Sequence, residues 1–225
     1  MDVMGIRRKI IMAQDNFIPP AYQKHDYIEC SGYNARIDTG VAGNDNTLKF
    51  DFTYMPLAQS NYFGSFGNYN GESNRCWRLI QATSSYSRQY YVNSNVRKAG
   101  VSKGVTAVSS ATGTIIMHKT HFTIEYGKIT VESDDGYTGT ETQAEDATEP
   151  ISQTNVAIGA PSCTNTGLTV TGRFYGSFKI YKGNMLIRNY FPVVRKSDNK
   201  AGLYDTVNHT FNPSIGSAEF VAGNE

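Results

Sequence analysis

Alternation between apolar and polar residues is strongest in the C-terminal run from Gly172 to Gly223. Its first segment places Phe174, Gly176, Phe178 and Ile180 on one side and Tyr175, Ser177, Lys179 and Tyr181 on the other. A period of two predicts a half-buried antiparallel strand. Lys182-Gly183-Asn184 predicts a tight turn, because glycine takes positive φ at little steric cost. The apolar residues from Met185 to Phe191 then predict a returning strand, whose regular pairing Pro192 should end.

The same period recurs upstream. Residues 47–54 put Leu48, Phe50, Phe52 and Tyr54 on one face, and Tyr126-Gly127-Lys128 is typical of a hairpin between two short strands. The composition agrees: 15 Tyr, 11 Phe and 21 Gly in a chain that is 39% hydrophobic are typical of strands joined by glycine turns. For 225 residues, the pattern predicts a single all-β antiparallel sandwich.

Residues 1–20 do not share this pattern. They end in Pro19-Pro20, which favours extended geometry and stops a helix. We therefore divide the chain into an N-terminal arm, residues 1–20, and a sandwich, residues 21–225. The arm is either a flexible tail or strand lying on the sandwich, or a docking segment for a larger assembly. In the docking interpretation the contacts come from Arg7, Arg8, Ile10 and Ile11.

A second polar stretch interrupts the sandwich at residues 133–154. It is acidic and contains almost no large apolar residue. Such a segment buries too little apolar surface to offset the entropy of ordering, which predicts a long surface loop between two strands. Three interpretations stay open: a variable loop without a role, a calcium-binding loop, or part of a sugar-binding rim.

Several segments together resemble a known family. The closing run contains FKIY, LIRNYFPVVRKSD, GLYDTVN and AEFVAG; an earlier piece, YIECSGYNARIDTGV at Tyr27–Val41, ends in I-D-T-G; and residues 155–160 supply a strand between them. This series resembles the concanavalin A-like lectin/glucanase domains. The laminin-G-like kind, found in tail and fibre proteins of bacterial viruses and in surface proteins of gut bacteria, is the variety it resembles most. The resemblance implies an antiparallel two-sheet jelly-roll sandwich and indicates function only weakly.

Charge and cysteine content exclude several classes of protein. The net charge of +1 argues against bulk attraction to nucleic acid or anionic membranes. Cys30, Cys76 and Cys163 lack the paired short spacings of a zinc site. No apolar run is long enough to span a membrane, and the residues after Arg7, Arg8 and Lys9 are too few for a signal-peptide core. With the family resemblance, these features lead us to expect a virion protein assembled in the host bacterial cytoplasm.

Motifs for catalysis are also missing from the sequence. Hydrolases of this sandwich carry alternating carboxylates on one strand, written E-x-D-x-E, so that nucleophile and acid share a face. The nearest match, Glu132-Ser133-Asp134-Asp135, enters the acidic stretch and lacks the last glutamate, while Asp51 is isolated. The four histidines are scattered, and neither a G-x-S-x-G elbow nor a phosphate-binding loop occurs. We therefore predict no catalytic residues, no cofactor and no metal.

Without catalytic motifs, the function that the sequence favours is recognition of a ligand. Sugars are bound by aromatic faces, with arginine and amide groups bonding the hydroxyls. The candidate glycan-binding residues are Trp77, Arg78, Tyr90, Arg88 and Tyr62. Alternation does not settle which face Trp77 occupies, and a single tryptophan in a sandwich more often packs between the sheets. Tyrosine-rich loops also serve protein interfaces, so a subunit interface stays open.

The function that we predict is non-catalytic. As the resemblance implies, the chain would be a virion-surface protein (fibre, tail or capsid decoration) that binds bacterial surface polysaccharide through its lectin-like domain. The arm would attach it to virion structural proteins, and we expect a homo-oligomer. Two alternatives stay open: a glycan-degrading enzyme on the same sandwich, and a purely structural decoration protein without a ligand.

Overall fold

The computed structural model describes residues 17–30, 35–57, 63–68, 77–84, 87–98, 101–109, 117–126, 128–142, 153–160 and 171–225. For residues 63–65, 78–84, 87–98, 101–109 and 141 it describes the backbone alone. In this part of the chain, no helix is long and apolar enough to cross a membrane.

Strands make up the regular structure of the described residues. They are β1 (Tyr22–Lys24), β2 (Tyr27–Cys30), β3 (Ile37–Ala42), β4 (Leu48–Pro56), β5 (Phe63–Gly67), β6 (Arg78–Ser84), β7 (Ser87–Lys98), β8 (Val101–Ser109), β9 (Thr120–Glu125), β10 (Lys128–Ser133), β11 (Thr138–Thr142), β12 (Asn155–Ile158), β13 (Gly172–Lys182), β14 (Met185–Arg195), β15 (Lys200–Asp205), β16 (Thr210–Pro213) and β17 (Phe220–Gly223).

These strands form two antiparallel sheets. The large sheet runs β11-β10-β9-β4-β13-β14-β15-β16; in addition, β2 pairs with β13, β17 with β2, and β1 with β14. The small sheet runs β3-β12-β5-β6-β7-β8. The predicted all-β antiparallel two-sheet sandwich is confirmed, as are the strand at residues 155–158, the hairpin at Lys182-Gly183-Asn184 and the antiparallel pairing of β9 with β10.

Aromatic rings fill the space between the two sheets. Phe52 stacks on Phe178 at 4.5 Å within the large sheet, while Phe66 of β5 lies 4.8 Å from Phe50 and 5.3 Å from Phe52. The alternation predicted for β4 is confirmed, because Leu48, Phe50, Phe52 and Tyr54 are all buried. Each such ring contributes roughly 1.5–3 kcal/mol by leaving water, so this cluster holds the two sheets together.

Gly176 departs from the predicted alternation. It is exposed, has a φ of +62°, and lies at a bulge where the pairing of β13 with β4 shifts between Tyr175 and Lys179. On the other edge of β13 the partner changes at the same point, from β2 to β14. The large sheet therefore forks at Gly176, whose N–H donates to Asp26 O at 2.9 Å. A conformation that disfavours side chains explains the glycine here.

The prediction that Pro192 ends regular pairing is wrong. Pro192 pairs with Leu203 of β15, and the ladder continues to Arg195. The opposite edge of β14 changes partner from β13 to β1 around this residue, and Pro192 O accepts the N–H of His25 at 3.0 Å. The missing proline N–H thus faces the junction between two neighbours, where a ladder bond is not required.

The long loop predicted for residues 133–154 is also wrong in its first part. Ser133 N donates to Tyr137 O at 2.7 Å, which closes a turn, and β11 then pairs with β10 along its length. Threonines at alternate positions make this polar segment an edge strand without much apolar burial. Residues 143–152 of the predicted loop lie outside the described residues.

Candidate functional site

A surface pocket of about 330 Å³ opens where the edge of the small sheet meets the large sheet. We call it the rim pocket. Its walls come from β3, from the connection between β3 and β4, and from the β13–β14 hairpin; the lining residues are Gly40, Val41, Ala42, Asn44, Asp45, Leu48, Lys182, Ile187 and Arg188. A pocket of this volume falls in the range of small-ligand sites.

Asp45 organises the connection between β3 and β4. Its Oδ1 accepts hydrogen bonds from Thr47 N at 2.8 Å and from Thr47 Oγ1 at 2.7 Å, the geometry of a side-chain-closed turn. Its Oδ2 pairs with Lys182 Nζ at 2.8 Å. The hydrogen bond from Lys182 is the largest cause that lowers the pKa of Asp45 to about 2. Asp45 is therefore ionised at neutral pH and holds Lys182 at the mouth of the pocket.

Two glycines shape the same wall. Gly40 has a φ of +65°, and its N–H bonds Asp38 Oδ1 at 2.8 Å. Gly43 permits a close approach, because a Cβ there would lie 1.8 Å from Asn68 Nδ2. Asn68 Nδ2 and Gly43 N both donate to Thr154 O, at 3.2 and 3.1 Å. These bonds to Thr154 fix the segment between β3 and β4 on the side away from the pocket, while Asn44 and Asp45 of the same segment line the pocket.

Arg188 enters the pocket from the large sheet. It stands opposite the core residue Ile180 in the β13–β14 ladder, so its side chain lies on the inner face of the sheet. Its Nε donates to Thr39 O at 3.0 Å, and its Nη1 donates to Ile187 O at 2.8 Å. These bonds join β14 to β3 and fix the plane of the guanidinium.

A buried carboxylate lies behind this guanidinium. Asp205 is 1% exposed, and its Oδ2 lies 3.6 Å from Arg188 Nε. The backbone N–H groups of Asn189 and Val207 and the amide of Asn208 donate to it at 3.0, 3.0 and 2.6 Å. A buried charge persists where hydrogen bonds and a counter-ion replace water, so Asp205 anchors Arg188.

Trp77 is not part of this pocket or of any open surface. It is 1% exposed, its ring packs 5.2 Å from Phe50, and its backbone N–H donates to Asn68 Oδ1 at 2.7 Å. A ring enclosed between the sheets cannot stack on a sugar. The placement of Trp77 in a glycan site is therefore wrong in this structure, and the core interpretation holds.

The glycan-binding and docking roles of the other candidate residues stay predictions. Arg78 begins β6, and Arg88 and Tyr90 lie in β7, but the structure describes only their backbone. Tyr62 and the arm residues Arg7, Arg8, Ile10 and Ile11 lie outside the described residues. The sequence interpretation overlooked Arg188 and Lys182. A charged residue inside the apolar strand 185–191 was the one signal that could have pointed to Arg188.

The outer face of the large sheet carries charged groups that pair with one another across strands. Lys49 Nζ lies 2.6 Å from Glu125, and Arg173 Nε lies 2.8 Å from Glu29. Asp51 lies between Lys179 and His121, 3.8 Å from each. Such pairing is typical of a solvated sheet face. We therefore place the candidate site in the rim pocket.

One group among the described residues has metal-ligand chemistry: His118, Asp134 and Asp135, whose ligand atoms lie within 4.8 Å of one another. Asp134 Oδ1 lies 2.9 Å from His118 Nδ1, and its Oδ2 accepts Lys119 N at 3.0 Å. These bonds tie the turn after β10 to the segment before β9. We interpret the group as a support for that turn, and the absence of a metal stays a prediction.

No family model and no curated protein matches the sequence. The chain is similar to a Bacteroides ovatus protein described as carbohydrate binding (TM-score 0.48, 12% identity, 89% of this chain and 61% of that one). It is also similar to a SAP-like pentraxin from Limulus polyphemus (TM-score 0.45, 10% identity, 92% of this chain and 91% of that one). A third similar structure is that of domains LG4-5 of the mouse laminin alpha1 chain (TM-score 0.44, 13% identity, 73% of this chain and 44% of that one). This chain spans less than half of that laminin chain. All three have the concanavalin A-like fold that the sequence resemblance named, and we draw no functional conclusion from them.

Proposed function

We propose that the chain is a non-catalytic, lectin-like module that binds one residue of a glycan in the rim pocket. The proposal rests on the composition of the pocket lining. Two cations, Arg188 and Lys182, line the same pocket, and hydrogen bonds to other protein groups hold both in place. The buried apolar residues Val41 and Leu48 form its floor. A sugar ring presents hydroxyl oxygens at its edge and C–H groups on its faces. Donors at the mouth and aliphatic groups at the floor match those two surfaces.

The first test is binding of the full chain to an array of bacterial capsular and host glycans. In Ala42→Trp, a bulky ring would occupy the pocket from an exposed strand position. We expect glycan affinity to fall at least roughly tenfold, since an occupied pocket excludes the ligand. The matched control is Thr138→Trp on the edge strand β11, which is also exposed and lies outside the pocket lining. Equal affinities for both variants would contradict the assignment of the pocket.

A second part of the proposal concerns where the protein acts. The resemblance of residues 26–223 to domains of tail and fibre proteins supports a place on the surface of a bacterial virus, with the arm docked to virion structural proteins and the chain in a homo-oligomer. Deletion of residues 1–20 tests this. We expect the truncated chain to bind glycan with unchanged affinity and to be lost from purified particles. Retention on particles would contradict a docking role for the arm.

One observation favours an alternative from another class. Asp51 and His121 lie 3.8 Å apart on the outer face of the large sheet, and such groups can serve acid–base chemistry in a glycan-degrading enzyme. An assay for reducing ends, run on every glycan that binds, separates the two functions. Release of reducing ends that Asp51→Asn abolishes would replace the lectin proposal with the enzyme. Neither binding nor release, with attachment through the arm intact, would favour a purely structural decoration protein.

A further inference from the structure

We infer that the rim pocket selects a sugar residue that carries an anionic group, a carboxylate or a sulfate, through Lys182 and Arg188. The inference rests on the proposed glycan-binding function and names the class of ligand for the same site. Its basis is the balance between hydrogen-bond donors and acceptors that remain available at the pocket mouth.

The carboxylate at the mouth is already engaged. Asp45 is the one carboxylate among the lining residues, and both of its oxygens accept bonds within the protein, from Thr47 and from Lys182. The pKa of Asp45 is lowered to about 2, so it does not become a donor at neutral pH. A ligand hydroxyl therefore finds no strong unengaged anionic acceptor in this wall.

The donors, in contrast, exceed the bonds made within the protein. Lys182 carries three N–H groups, one of which the pair with Asp45 uses, and its side chain is 59% exposed. Arg188 carries five N–H groups; Nε and one on Nη1 have backbone acceptors, and the Tyr190 side chain also hydrogen-bonds the guanidinium, which leaves at least one N–H group for a ligand. Its Nη2 lies at the Gly40 wall of the pocket, 3.7 Å from where a Cβ on Gly40 would be. A surplus of charged donors fits an acceptor-rich anionic group.

The net charge of the pocket does not explain selection of an anionic sugar. Lys182 and Arg188 carry two positive charges, and Asp45 and Asp205 beside them carry two negative charges, so the sum is near zero. Both oxygens of Asp205 accept bonds from neighbouring groups, and the carboxylate is buried away from the mouth. Recognition would therefore come from directed, charge-assisted hydrogen bonds, each worth roughly ten- to a hundredfold in affinity. Salt should weaken binding modestly.

The experiment uses the full chain and pairs of glycans. Uronic acid-containing capsular polysaccharides are presented beside their carboxyl-reduced forms, which keep every linkage and lose only the anion. A third arm presents the reduced forms after chemical sulfation. Calorimetry on oligosaccharides from the polysaccharides that bind gives the affinities. We expect at least a tenfold loss on carboxyl reduction, with sulfation restoring part of it.

Two variants assign the effect to the pocket. Lys182→Gln removes one charged donor at an exposed hairpin end and leaves the turn bonds between Thr47 and Asp45 in place. We expect it to weaken binding of the acidic form about tenfold and to leave the reduced form nearly unchanged. The matched control is Lys179→Gln, on the same strand but paired with Asp51 on the outer face. It should change neither affinity.

The outcomes separate this inference from the proposed function. Equal affinity for acidic and reduced forms, or an equal effect of Lys182→Gln on both, would overturn selection of an anion and leave glycan binding intact. Sulfated forms that bind without sensitivity to Lys182→Gln would also overturn it, because the anion would then be held elsewhere. Absence of binding to every glycan would instead remove the proposed function itself.

Discussion

Placing a guanidinium between two sheets costs desolvation free energy, and specific groups around Arg188 offset that cost. Thr39 O and Ile187 O accept its hydrogen bonds, and Asp205 supplies the opposite charge from below. The same bonds that make burial tolerable also fix the orientation of the guanidinium. A residue with this arrangement is held in place before any ligand arrives, which lowers the entropy lost on binding.

Asp205→Asn tests this arrangement. The substitution keeps the size of the side chain and the Oδ1 acceptor of the two backbone N–H groups, but removes the counter-charge of Arg188 and places an NH2 group at Oδ2, against the donors of Asn208 and Arg188. We expect the free energy of unfolding to fall by about 2–3 kcal/mol. Urea denaturation measures it. Asp198→Asn is the control, since Asp198 is an exposed partner of Arg195; a loss as large for the control as for Asp205→Asn would contradict the special role of Asp205.

The Asp45–Lys182 pair predicts that the stability of the protein depends on pH. The folded pKa of Asp45, about 2, lies below its ordinary value of 3.8. A lowered folded pKa means that the pair's contribution to stability is complete above the ordinary value and is lost as the pH falls through about 2. We therefore expect the difference in urea midpoint between the natural chain and Asp45→Asn to shrink between pH 5 and pH 2. A difference that stays constant over this range would contradict the assignment.

At the level of the elements, β13 illustrates how a strand combines pairing with a change of partner. Its N-terminal half pairs with β2 and its C-terminal half with β14, while β4 runs along the other edge. Gly176 marks the point of change. Because a Cβ there would meet nothing within 4 Å, the cost of a side chain should come from the backbone alone.

Gly176→Ala and Gly159→Ala form a matched pair that tests this distinction. Both glycines have positive φ, +62° and +93°. At Gly159 a Cβ would also lie 2.4 Å from Ala35 O, a backbone atom that cannot move aside cheaply. We expect Gly176→Ala to cost about 1–2 kcal/mol of unfolding free energy and Gly159→Ala clearly more. Urea denaturation compares them, and the reverse order would show that the fork at Gly176 is packed more tightly than the structure indicates.

The elements also show what the sequence could predict. β4 and most of β13 follow from strict alternation, and the hairpin after β13 follows from Gly183, whose φ is +57°. The bulge at Gly176 and the continued pairing of Pro192 depend on which strands lie alongside, information that a local period does not contain. The rim pocket was not predictable for the same reason, because it joins Gly40 to Arg188 across the junction of two sheets. Trp77 was ambiguous because both sets of alternating positions contain an arginine beside apolar residues: Arg75, Trp77 and Leu79 on one, Cys76, Arg78 and Ile80 on the other.

At the level of the whole molecule, an aromatic cluster joins the two sheets. Phe66, from the small sheet, lies 4.8, 5.3 and 5.9 Å from Phe50, Phe52 and Phe178 of the large sheet. The rim pocket likewise takes its walls from both sheets, from β3 on one side and from β4, β13 and β14 on the other. The geometry of the pocket should therefore follow the integrity of the sandwich as a whole.

Phe66→Ala tests this dependence. Removing the ring leaves a cavity between the sheets, and we expect a loss of about 3–5 kcal/mol of unfolding free energy, with Phe66→Leu losing less than half as much. Met117→Ala, at an exposed side chain, is the control and should change little. In the same variants, glycan affinity should fall in the order of the stability losses, because the sheets carry opposite walls of the pocket. Full affinity in a strongly destabilised Phe66→Ala would mean that the β13–β14 hairpin alone holds the ligand.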